Sequence, residues 1–253
     1  MTQSGAGPVR TVIVAPTYQE RENIERFLRS VRAAVPDGEV VIVDDASPDG
    51  TAAAARELAA ELGGISVVER PGKAGLGSAY RHGFAHVLAR GVDVVVSMDV
   101  DASHDPRSIP AMLAAIEAGA DAVIGSRYVA GGATVNWPLH RRLLSRWGNR
   151  YTAAWLGVSV RDCTSGFRAY RGDVLAALDV GSTTAEGYAF LTELVRRLAR
   201  GRRRVAEVPI TFADREVGTS KMSGRIIVES MWLVTTWGVR DRLARLQRRR
   251  SQS

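Results

Sequence analysis

The stretch VVVSMDVDASHD, Val94 to Asp105, begins as an apolar run and ends with three carboxylates, Asp99, Asp101 and Asp105, and one histidine, His104. Its first residues read as the interior of a buried strand. Charge this dense at the end of such a strand is costly unless something positive neutralises it. Ligands of doubly wound α/β sheets sit outside the carboxyl ends of the strands. One short segment therefore suggests both a fold class and the place of a site.

Working outward, four more β-rich runs surround it: TVIVAP (11–16), EVVIVDD (39–45), ISVVER (65–70) and ADAVIGS (120–126). Segments 20–34, 51–62, 75–90 and 106–118 between them have helix length and helical apolar spacing. Near-continuous Val/Ile runs joined by helical crossovers predict a mostly parallel sheet covered on both faces. Ser47-Pro48-Asp49 and Asp105-Pro106 mark helix starts, with proline at a tolerated first-turn position. After Tyr128 the pattern changes to a Gly-rich loop, VAGGATVNWP (129–138), then a basic amphipathic segment, LHRRLLSRWGNRYTAAWLGV (139–158). CTSGFRAYR, a helix near 186–200, a short strand at RVAEVPI and an apolar helix from about Gly224 complete the chain.

At 253 residues, the chain is long enough for a full α/β core. The single cysteine, Cys163, excludes an internal disulfide and suits a reducing compartment. The opening MTQSGAGPVR has no apolar run of the kind a secretory signal carries. Charge is unevenly placed: residues 1–125 hold 11 Lys+Arg against 17 Asp+Glu, and residues 126–253 hold 23 against 10. An acidic half suggests a cation site, and a basic half a polyanionic partner.

The strand ends carry the chemistry. Asp99 and Asp101 can turn both carboxylates to one crevice, a hard oxygen site suited to Mg²⁺ or Mn²⁺ carrying a nucleotide diphosphate. Alone, a D-x-D is better read as a helix cap; four coordinated strand ends reverse that preference. Of Asp44 and Asp45, one can accept from a base N–H while the other caps the following loop. Tyr18 offers a flat surface beside a base or ribose, and Glu20 a ribose acceptor; a loop tyrosine and a dipole-favoured helix-start glutamate are the plainer readings. GKAGLGSA (72–79) lacks the order of a P-loop and does not follow the first strand, so it reads as a tight strand–helix turn.

Taken together and in order, PTYQE, VDDASPDGT, GLGSAY, MDVDASHDP, GSRY, NWPLHR and DCTSGFRAY resemble the GT-A-fold, family-2 glycosyltransferases. Within that group they are most similar to the dolichol-phosphate (polyprenol-phosphate) mannose synthases. The resemblance runs from about Thr11 to Lys221. Gln19 stands where the family has asparagine, and Val100 where it has a small residue.

The resemblance implies a Rossmann-like α/β fold, a doubly wound, mostly parallel sheet with C-terminal amphipathic interfacial helices. The catalytic domain would span 1–223, with a nucleotide and metal half at 11–127 and an acceptor half at 128–223; an interfacial helix and basic tail would occupy 224–253. Pro16, Tyr18, Glu20, Ile42, Asp44 and Asp45 would hold guanosine. Asp99, Val100 and Asp101 would hold Mg²⁺ or Mn²⁺ and the sugar diphosphate, with Ser103 close by. Arg127, Ser165 and Arg168 would face phosphate, a natural use of the guanidinium fork, and Arg215 and Lys221 would form a late basic pair near the nucleotide. Asp99, Asp101 and Arg127 would be the catalytic set.

The implied reaction moves mannose from GDP-mannose to a polyprenyl phosphate with inversion. A UDP-sugar transferase is the alternative within the fold. A lipid phosphate is already ionised and needs no strong base, so His104 ranks as structural. The 14 residues between Arg225 and Arg240, with Trp232 and Trp237, fall short of the ~20 a spanning helix needs and suit an interfacial helix. Trp137, Trp147 and Trp155, interleaved with arginines, suggest a second membrane-facing element. A peripheral protein on the cytoplasmic membrane face, with room for a membrane-anchoring partner subunit, is the expectation. Nucleic acid is disfavoured, because the arginine clusters lack aromatics in a base-stacking pattern.

Overall fold

The computed structural model describes residues 9–213 and 224–250. Seven strands form one sheet in the order β3-β2-β1-β4-β7-β5-β8. These are β1 (Thr11–Thr17), β2 (Glu39–Asp44), β3 (Ile65–Glu69), β4 (Val94–Ser97), β5 (Ala122–Ser126), β7 (Arg168–Arg171) and β8 (Val205–Pro209). All adjacent pairs are parallel except those of β7, which runs antiparallel between β4 and β5. Strand order reverses at β1, where β2 lies on one side and β4 on the other, so a crevice opens beyond the ends of β1 and β4.

Alternation along the strands builds two apolar layers. Ile13, Ile42, Val96 and Val123 face one side with Phe27, Leu28 and Met112, beneath α1 (Ile24–Ala34), α2 (Thr51–Leu62) and α4 (Ile109–Glu117). Val12, Val14, Val41, Val43 and Val95 face the other side with Tyr80, Phe84, Val174 and Leu194, beneath α3 (Leu76–Leu88), α6 (Gly172–Ala177) and α7 (Gly187–Arg200). Both faces are covered, as a Val/Ile-rich parallel sheet requires.

The structure departs from the expected pattern in two places. The Gly-rich loop contains a short strand, β6 (Ala133–Val135), which pairs with β9 (Thr211–Ala213) in a second, parallel sheet. The helix after β4 opens with a 3-10 turn at Pro106–Ser108, capped by Asp105, whose carboxylate accepts from the Arg107 N–H. The helix expected from about Gly224 is α8, which runs unbroken from Gly224 to Arg250 and takes in the basic end. Apolar and basic residues continue one helix because nothing between them breaks it.

The basic segment forms α5 (Leu139–Leu156), against which α8 packs. A Cβ at Gly238 would lie 2.7 Å from the Trp155 carbonyl oxygen, so glycine sets this close approach. Arg196 of α7 forks onto Asp241 through two contacts of 2.7 Å, both side chains largely buried.

Candidate active site

Four loops meet at the crevice, and three carry a non-glycine residue in the left-handed region: Gln19 (φ 59°), Ala46 (φ 53°) and Ala102 (φ 60°). Each such residue costs of order 1–3 kcal/mol, and such strain gathers at functional sites. It lies at the ends of β1, β2 and β4.

Pro16 and Tyr18 are half-buried at the end of β1. The Lys73 ammonium sits 3.9 Å above the Tyr18 ring. The Glu20 carboxylate accepts from Asn23 Nδ2 at 2.8 Å, and its carbonyl opens α1. Asp44 is the loop cap: its oxygens accept from Thr17 Oγ1 (2.8 Å), Ser47 Oγ (2.7 Å) and Ser47 N–H (2.8 Å). Asp45 accepts from Arg70 at 2.6 Å, and both side chains are buried. Ile42 does not reach the crevice. It is fully buried in the α1/α2 layer because its place in β2 points it into the core.

Val100 is likewise a core residue and anchors the D-x-D loop from below. Above it, Asp99 is half-buried and Asp101 is buried. Asp99 Oδ1 accepts from the Tyr80 hydroxyl at 3.2 Å, and Asp101 Oδ1 accepts from the Ser103 N–H at 3.1 Å. Burial, then the Asp99 charge, pushes the Tyr80 hydroxyl well above the ordinary phenol range. Asp105 takes no part here; Arg107 forks onto it at the surface. His104 is wedged between Phe167 and Phe212, each ring 5.2 Å away.

Arg127 follows β5 and binds Asp162 by two contacts, Nε at 2.7 Å and Nη2 at 2.6 Å, with Nη2 also reaching Thr164 Oγ1 at 2.8 Å. Tyr128, Trp137 and Phe212 surround its guanidinium at 5.3–5.5 Å, and Arg141 stacks 4.0 Å over Trp137. Burial alone would raise the Asp162 pKa, but the charge and hydrogen bonds of Arg127 bring it below the usual carboxylate range.

Arg168 is elsewhere than expected. Fully buried, it donates to the carbonyls of Ser165 (2.6 Å), Leu191 (2.7 Å) and Cys163 (2.8 Å). Those three carbonyls use the fork that a phosphate would need, so Arg168 shapes the 163–167 loop from inside. Ser165 is buried in that loop, and its Oγ has no hydrogen-bond partner among the described residues; the same holds for Ser103 Oγ and Trp137 Nε1. Buried polar atoms of this kind are expected where a ligand completes the set. Arg215 and Lys221 lie outside the described residues.

Tyr80, Arg70 and Asp162, which contact Asp99, Asp45 and Arg127, were not among the residues expected from the sequence. Tyr80 and Asp162 stood inside quoted motifs, GLGSAY and DCTSGFRAY, but nothing local said which carboxylate or guanidinium they would meet. Trp137 is also corrected: it is buried against Phe212, with ring centres 5.5 Å apart, and does not face outward.

No group of three or more His, Cys, Asp or Glu side chains that could hold a metal ion occurs among the described residues. Two carboxylates on a strand end, each with one oxygen anchored by the protein, fit a hard divalent ion that draws the rest of its shell from substrate phosphates and water. Nor is any described helix long and apolar enough to cross a membrane.

Comparison with known proteins agrees with this architecture. Over 237 residues the chain is 48% identical to the polyprenol monophosphomannose synthase of Mycolicibacterium smegmatis, covering 93% of this chain and 89% of that protein. It is 46% identical over 241 residues to the undecaprenyl-phosphate mannosyltransferase of Micrococcus luteus, covering 95% and 99%. Among solved structures, the mannosyltransferase PcManGT from Pyrobaculum calidifontis, in complex with GDP-Man and Mn²⁺, superposes with a TM-score of 0.57 at 21% identity, covering 90% of this chain. S. aureus TarS 1-349 with UDP-GlcNAc superposes at 0.62 and 17%, covering 89%. The chain spans only 64% and 65% of those two structures, a likeness of fold alone. The family model for glycosyl transferase family 2 matches residues 12–179, which carry β1 to β5, the D-x-D loop and Arg127, and the chain belongs to that family.

Proposed function

We propose that the protein transfers mannose from GDP-mannose to a polyprenyl phosphate, inverting the anomeric centre. The observation that carries this reading is the near full-length identity of 48% and 46% to two polyprenyl-phosphate mannosyltransferases. The arrangement of the strand ends supports it. Asp99 and Asp101 are the residues to hold a divalent ion, which when bound neutralises the diphosphate leaving group. Tyr18, with Lys73 above it, offers a platform for the nucleoside, and the Asp45–Arg70 pair lines the same side.

A lipid phosphate monoester is already anionic at neutral pH. Its attack needs positioning and charge neutralisation more than proton removal. That suits a crevice whose one histidine, His104, is packed between two rings. Arg127, whose charge is paired with the buried Asp162 carboxylate, acts here by fixing the GSRY turn against the 162–164 loop at the crevice rather than as an unpaired cation. Attack in line with the departing nucleotide on an α-linked donor gives a β-mannosyl phosphate.

The acceptor's isoprenoid tail must come from a bilayer. Leu139, Leu143, Leu144 and Trp147 of α5, and Val228, Trp232, Val239 and Leu243 of α8, are exposed. On each helix these residues fall on one face, which suits peripheral docking at the cytoplasmic membrane surface. The test is incubation with labelled GDP-mannose or UDP-glucose, Mn²⁺ and a polyprenyl phosphate, followed by organic extraction. A labelled β-linked lipid product from GDP-mannose alone is expected. Product from UDP-glucose alone would overturn the donor assignment.

A further inference from the structure

We propose that Tyr80 is a positioning residue for metal binding, its hydroxyl fixing the Asp99 carboxylate in the orientation a divalent cation requires. The inference rests on the metal reading above and adds a residue outside the strand-end loops. Tyr80 is fully buried on α3, with its hydroxyl 3.2 Å from Asp99 Oδ1. Phe84 and Phe190 stack against its ring at 5.4 and 6.0 Å, so the hydroxyl is held from behind. The helix itself is seated close to the sheet: a Cβ at Gly83 would lie 2.6 Å from Val14 Cγ1 and 2.9 Å from Val43 Cγ2. That closeness lets a helix side chain reach the end of β4.

The far side of Asp99 is left open by a glycine. A Cβ at Gly166 would stand 3.4 Å from Asp99 Oδ2, and Ser97 Oγ donates to the Gly166 carbonyl at 2.8 Å. The carboxylate thus has a fixed donor on one oxygen, and a glycine with no side chain beside the other. Ser103 N–H does for Asp101 what Tyr80 does for Asp99. Groups that orient a metal ligand from outside the coordination shell typically change metal affinity 10- to 100-fold when removed. The glycine-rich turn at 72–77, which had no assigned role, thereby acquires one: it starts the helix that delivers Tyr80.

Tyr80→Phe keeps both ring contacts and removes only the hydroxyl. Mn²⁺ binding to the full chain with GDP present, followed by electron paramagnetic resonance of free Mn²⁺, should weaken roughly 10-fold. Melting temperature in EDTA and metal-free GDP binding should stay as in the parent. In an Asp99→Ala background the same substitution should change Mn²⁺ affinity no further. Unchanged Mn²⁺ affinity in Tyr80→Phe, whether or not melting falls, overturns the proposal, as does a loss of equal size in the Asp99→Ala background. A parent protein that binds no Mn²⁺ at all overturns the metal assignment itself, and the inference falls with it.

Discussion

At the scale of single residues, arginine and aspartate separate by what they meet. Arg168→Lys leaves buried carbonyls of Ser165, Leu191 and Cys163 without a matched fork. Urea unfolding should show a loss of at least about 3 kcal/mol, because each orphaned buried group costs about 1–3; a stable but inactive variant would restore the phosphate role. Arg127→Lys keeps a charge but loses the two-point grip on Asp162. Turnover should fall at least about 100-fold while the Kd for GDP-mannose changes little. Asp162, with its folded pKa held below the unfolded value, contributes stability that is fully present above pH ~4 and is lost as pH falls through the folded pKa. Asp162→Asn should therefore flatten the acid limb of the stability curve measured between pH 7 and 3.

At the scale of elements, α8 is anchored by specific side-chain contacts. Asp241 binds Arg196, and Arg242 stacks 4.6 Å over Trp155. Cutting the chain at 240 would remove these anchors together with the basic end, so point changes are the cleaner test. Leu143→Ser with Trp232→Ser touches only exposed residues. Melting should stay put while co-sedimentation with anionic vesicles falls. Arg248, Arg249 and Arg250 to glutamine should instead weaken binding in low salt and matter little at 1 M, where screening acts within ~3 Å. If neither set changes vesicle binding, the α5/α8 face is not the membrane surface.

For the whole molecule, the crevice joins loops from β1, β2 and β4 with the 163–167 loop before β7, so ligand should stabilise the fold globally. Mn²⁺ with GDP-mannose at about 100 times its Kd adds roughly 2.7 kcal/mol, a melting rise of roughly 5–10 °C for a chain of this size; EDTA should abolish most of it. Gly172→Ala should act in the opposite direction, since its Cβ would meet the Val92 carbonyl oxygen at 2.0 Å where β7 turns into α6.

The sequence by itself determined the layered sheet, its parallel first half and the strand-end placement of Asp44, Asp45, Asp99 and Asp101. Val/Ile runs, helical spacing and loop chemistry are local properties that do not depend on distant partners. Only the tertiary structure decided that β7 inserts antiparallel, that Arg168 turns inward and that Asp44 is a cap while Asp45 meets Arg70. It also decided that Trp137 is buried and that Tyr80 reaches Asp99. Each of these is a contact between residues far apart in sequence or a choice of which face is buried. A charge or a ring looks the same in a sequence whether its partner is a phosphate, a carbonyl or a membrane; only packing supplies the partner.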